Sequence, residues 1–152
     1  MLKKMTLALA VVAALAPGLA HADLPGKHPY YLHALSDLRY ANWLIEHRPG
    51  DAAVSGDEDV ALTEIHGAWG EIKKAAIEDG KDIKESPVPD DKGEHKGHLH
   101  KALNLLQKIK KDVAREEDDP ETKGLRNRIV GHINHAMEAT KKAIWHAEHD
   151  GK

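Results

Sequence analysis

Apolar residues recur at intervals of three and four along most of this chain, the spacing of helices that bury one face. Four such stretches stand between breaks rich in Pro, Gly and acidic residues. The first predicts a helix from Pro29 to Arg48, with Tyr31, Leu35, Leu38, Ala41 and Ile45 as its stripe and Trp43 and Leu44 beside it. Pro29 suits a first turn, where a missing N–H costs nothing, and Pro49-Gly50 ends the helix. The second opens on Ser55-Gly-Asp-Glu58, a capping box in which the hydroxyl accepts a backbone N–H and the carboxylate reaches back. Its stripe is Ala61, Ile65, Ala68, Trp69, Ile72 and Ala76, and Gly80 is the expected stop. The third occupies Gly93 to Val113, capped by Asp90 or Asp91, with Leu99, Ala102, Leu106, Ile109 and Val113 inside. Asp119-Pro120-Glu121 restarts a fourth, which runs to about His149 on Leu125, Ile129, Ile133, Ala136, Thr140, Ile144 and Ala147.

Four helices of this kind predict an all-α fold, an antiparallel up-down four-helix bundle. The break between the third and fourth helices is short enough to make them a tight hairpin. Lys81 to Lys92 is the longest connection, and Pro87 and Pro89 exclude helix there. Ala34, Ala68, Ala102 and Ala136 stand 34 residues apart, flanked at the same offset by Tyr31, Ile65, Leu99 and Ile133. Tetratricopeptide arrays share that period but hold two helices in it, whereas each period here holds one.

The first residues do not continue the pattern. Lys3 and Lys4 precede the apolar run Leu7 to Leu15, which is too short for a stable membrane anchor. Ala20-His21-Ala22 fits a signal-peptidase site. Residues 1–22 therefore read as a cleaved signal peptide and 23–152 as the bundle, a product exported to a periplasm. After cleavage no stretch is apolar enough to hold it in a membrane.

Composition removes several functions. The chain carries 22 Lys and Arg against 25 Asp and Glu, for a net charge of −3, and it grows more acidic once Lys3 and Lys4 leave. That balance argues against a nucleic-acid partner. With no cysteine there is no disulfide, thiolate zinc site, iron–sulfur cluster or covalent c-type haem. No Glu-x-x-His pair, His-Glu-x-x-His helix, nucleophile elbow or phosphate loop occurs, so the chain does not read as an enzyme.

Twelve histidines remain to be explained. In an up-down-up-down bundle, the start of the first helix, the start of the third and the end of the fourth share one pole. That pole would gather His28, His33, His95, His98, His100, His146 and His149, with His47 at the other end and His66, His132 and His135 toward the middle. His95/His98, His132/His135 and His146/His149 are i,i+3 pairs, neighbours on a helix surface. Neutral imidazole suits Cu(II), Ni(II) and Zn(II), with Cu(II) first in affinity. The expected metal ligands are His95, His98, His146 and His149, with His33 as a further candidate. A single mature methionine, Met137, and no cysteine leave no Cu(I) set.

Gly-His-Leu-His-Lys-Ala-Leu (97 to 103) and Gly-His-Ile-Asn-His-Ala-Met (131 to 137) are similar to segments of the His-rich periplasmic small metal-binding proteins of ammonia-oxidising bacteria. That resemblance implies a helical fold and divalent-metal binding, copper above all. His28-Pro-Tyr-Tyr-Leu-His-Ala-Leu-Ser-Asp-Leu-Arg39 resembles the opening of exported proteobacterial helical proteins with no assigned function. The expectation is thus a periplasmic metal-binding or metal-buffering protein. The alternatives are a periplasmic stress chaperone or adaptor using a groove between helices, and a b-type haem carrier with Met137 opposite His33, His95 or His132.

Overall fold

A computed structural model of the chain describes residues 28–47, 55–78, 91–116 and 124–149. They form four helices: α1 (Pro29–Glu46), α2 (Gly56–Glu78), α3 (His95–Val113) and α4 (Leu125–His149). The signal-peptide expectation, the Gly80 stop and the Asp119-Pro120-Glu121 restart lie outside the described residues. No described helix is long and apolar enough to cross a membrane.

Each helix buries the face its sequence period marks. Tyr31, Leu38, Leu44, Ile65, Ile72, Leu99, Leu106, Ile109, Ile129 and Ile133 are fully or almost fully enclosed. So are the four alanines at the 34-residue spacing, Ala34, Ala68, Ala102 and Ala136. Thr140 is buried too and donates its hydroxyl to the Ala136 carbonyl at 2.7 Å, so it adds no unsatisfied group to the core. Two positions differ from the pattern: Trp69 is half-buried and Ala147 is exposed.

The caps show where local sequence decided and where it did not. At α2 the Ser55 half of the capping box forms as expected, while Glu58 reaches back to the Ser55 hydroxyl. The Glu58 N–H donates to Ser55 Oγ at 3.3 Å, and the Ser55 hydroxyl donates to Glu58 Oε1 at 3.1 Å. At α3 the N-cap position is Glu94, and it makes no side-chain cap. Asp91 instead accepts the Gly93 N–H at 2.9 Å, an Asx turn that sets the entry into the helix.

Helix directions follow from contacts at the ends. The Tyr30 and Tyr31 N–H groups, at the start of α1, donate to Glu116 just past α3, and His98 near the start of α3 meets the His47 carbonyl at the end of α1. α1 and α3 are therefore antiparallel. α2 and α4 are antiparallel as well, since Asp57 faces His146 and Glu71 pairs with Arg128. His95 at the start of α3 faces Glu58 at the start of α2, so these two helices run the same way.

Backbones approach closely in the pairs α1–α2, α2–α4, α4–α3 and α3–α1, and not in α1–α4 or α2–α3. The bundle is two hairpins laid side by side. Every packed pair is antiparallel, but the chain runs up, down, down, up. The sequential up-down-up-down threading expected from the sequence is corrected here. α3 thus begins at the same pole as α2, an order found in bundles that have a long crossover connection.

Candidate metal site

This threading changes which residues meet. The pole at the start of α3 also holds the end of α1, the start of α2 and the end of α4. His95, His98, His100, His146 and His149 lie there, as expected, and so does His47. His33 does not: it is exposed on the first turns of α1, at the opposite pole. The other pole also takes His28, whose Nδ1 stands 3.3 Å from Glu116 Oε2. His33 therefore cannot share an ion with the other expected ligands.

At the histidine pole, imidazoles meet carboxylates across helix seams. His95 Nε2 stands 3.2 Å from Glu58 Oε1, the oxygen that also accepts the Ser55 hydroxyl. His146 Nε2 stands 3.3 Å from Oδ2 of Asp57, the residue before Glu58. Two imidazoles from two helices thus face consecutive acids on the first turn of α2, where the helix dipole favours negative charge. Glu58 is buried, and His95 Nδ1 is buried without a hydrogen-bond partner. On the outer edge, Glu148 Oε1 receives Lys96 and His100, each at 3.3 Å. The hydrogen bond from Lys96, then that from His100, holds this carboxyl below its ordinary range.

The other two expected ligands have different work. His98 is buried, with Nδ1 2.9 Å from the His47 carbonyl and its ring 5.7 Å from that of Trp43. It fits because Gly93 has no side chain: a Cβ there would stand 3.1 Å from the ring. His98 Nε2 lies 3.6 Å from Asp91 Oδ1, beyond hydrogen-bond length. That carboxylate is already occupied by Lys101 at 2.6 Å and by the Tyr40 hydroxyl at 3.1 Å. His149 donates Nδ1–H to its own helix at the Trp145 carbonyl, 2.7 Å away, and stacks on the Trp145 indole.

The i,i+3 pairs at this pole therefore split. Three residues advance about 300° around a helix, so such neighbours are offset by about 60°. At a bundle corner that offset sends His95 toward α2 and His98 toward α1. His146 likewise reaches Asp57 while His149 folds back on its own turn. The third pair behaves differently. His132 and His135, midway along α4, both face Glu64 of α2.

Among the described residues, no three His, Asp or Glu side chains already stand where they would hold an ion together. Sequence reasoning missed Glu58, Asp57 and Glu64. Each is a helical acid with no spacing that ties it to a histidine, and only packing brings them together. No family model, curated protein or solved structure matches the chain.

Proposed function

We propose that the protein is an exported binder of divalent transition-metal ions, with Cu(II) favoured over Ni(II) and Zn(II), and that it carries them at the histidine pole. The observation that carries this reading is the pairing of His95 with Glu58 and of His146 with Asp57. Two imidazoles and two carboxylates from three helices are anchored on adjacent residues. Imidazole and carboxylate together suit these ions, and a carboxylate not bound directly can orient an imidazole. His98, buried and bonded to backbone, positions α1 against α3 and does not ligate. His149, folded back onto the Trp145 carbonyl, stands outside this set.

Calorimetric titration of the protein with Cu(II) tests the reading. The His95→Ala/His146→Ala variant is expected to lose a saturable binding step while keeping its helical circular dichroism. Unchanged binding in that variant would remove the pole site.

One observation favours a second reading, a small-molecule or peptide adaptor. A groove of about 280 Å³ runs between α1 and α2, lined by Leu38, Asn42, Trp43, Ile65 and Trp69. Asn42 Oδ1 and Trp69 Nε1 are buried there without hydrogen-bond partners. Occupancy of the groove would change the indole fluorescence of the protein, and metal alone would not reproduce that change in the His95→Ala/His146→Ala variant.

A further inference from the structure

The middle of the α2–α4 seam brings two imidazoles to one carboxylate oxygen. Glu64 Oε2 lies 2.7 Å from Nδ1 of His132 and 3.7 Å from Nδ1 of His135. The two imidazoles are one turn apart on α4, so both reach the same oxygen from the same side. We propose that Glu64, His132 and His135 form a binding site for one divalent transition ion, separate from the histidine pole.

Distances support this. With metal–ligand bonds of about 2.1 Å, donor atoms in a tetrahedral site stand roughly 3.4 Å apart. The two observed separations, 2.7 and 3.7 Å, fall on either side of that value. His132 has to move outward by about 0.7 Å and His135 inward by about 0.3 Å. The His135 side chain is 72% exposed, so nothing packed around it opposes the rotation. The ion takes the place of the hydrogen that His132 Nδ1 shares with Glu64, and the ring carries its hydrogen on Nε2 instead.

The seam is also shaped to hold the first imidazole. The His132 ring lies against the backbone of Gly67, one turn after Glu64 on α2. A Cβ at Gly67 would come within 2.7 Å of His132 Nδ1 and Cε1, closer than real Cβ contacts. A side chain there would push the ring off Glu64. Arg128, four residues before His132 on α4, is directed to Glu71 at 3.0 Å, which Lys74 also contacts at 2.8 Å. The Glu64 carboxylate is therefore left to the two imidazoles. Two nitrogens and one oxygen, open to water on the exposed side, make a set for Zn(II) or Cu(II) with room for an outside ligand.

Zn(II) titrated into the full chain, with the histidine side chains followed by NMR, tests the site. The His132 and His135 resonances are expected to move together and saturate. Gly67→Ala and His135→Ala are each expected to weaken that event at least about tenfold. Gly67→Ala removes no ligand and introduces a better helix former, and His135 is a surface residue, so both variants keep the fold. Unchanged Zn(II) affinity in both would overturn the proposal. So would silent His132 and His135 resonances while His95 and His146 respond, a result that leaves the pole reading standing. Response at His132 and His135 alone would keep this site and remove the pole.

Discussion

Glu116 carries a function that local sequence does not assign to it. The N-cap of α1 is His28, which makes no side-chain cap, and Pro29 takes the first turn. Two backbone donors that follow instead meet a carboxylate from just past the end of α3. Glu116 Oε1 accepts the Tyr30 N–H at 2.5 Å and the Tyr31 N–H at 3.1 Å, while its other oxygen faces His28. Its carbonyl accepts Arg126 Nη1 at 2.8 Å, which ties in α4. A carboxylate at a helix N-terminus gains from the dipole as well as the hydrogen bonds. Glu116→Ala takes the acceptor from the Tyr30 N–H and leaves the Tyr31 N–H with only the His28 carbonyl at 3.2 Å, and is expected to cost about 1–3 kcal/mol. Urea unfolding measures that loss, and hydrogen exchange should place it in the first turn of α1. In the sequence Glu116 is one acid in a charged run. Nothing there distinguishes it from Glu117, because its partners are about 86 residues away.

At the scale of elements, periodicity identified all four helices and nearly all of their buried faces. Apolar burial depends on which side of a helix a residue occupies, and that follows from the sequence alone. Entry into α3 was less legible. Asp91 was expected as a cap and instead forms a turn that gathers Lys101, Gly93 and Tyr40. The Lys101 hydrogen bond, then that of the Gly93 N–H, holds its carboxyl at about 2, down from 3.8. A depressed carboxyl stabilises the folded state above its unfolded value, and that contribution fades as pH falls. The window is therefore from about pH 4 down to about pH 2. Thermal unfolding across that range should show Asp91→Asn losing less stability on acidification than the unaltered protein does. An equal loss in both would mean that Asp91 makes no such contribution.

For the whole molecule the threading matters most, because it decides which histidines and acids can meet. Gly56 and Glu94, at the starts of α2 and α3, are both exposed and share a pole. Spin labels at Gly56→Cys and Glu94→Cys should report a short separation. Up-down-up-down order would instead place them about a helix length apart, roughly 35 Å for α2. The crossover also explains why the site was only partly legible. The i,i+3 histidine pairs could be read along one helix, and two of the three diverge at the corners of the bundle. The pair that converges does so on Glu64, 68 residues from His132.

The sequence by itself determined four amphipathic helices, the Ser55 cap of α2 and the supply of imidazoles, because these depend on residues within a few turns of one another. The tertiary structure alone decided that α2 and α3 run in the same direction, that His33 sits away from the other expected ligands, and that Glu58, Asp57 and Glu64 face histidines. Contacts between distant segments depend on where a long connection returns the chain, and no local pattern of residues encodes that direction.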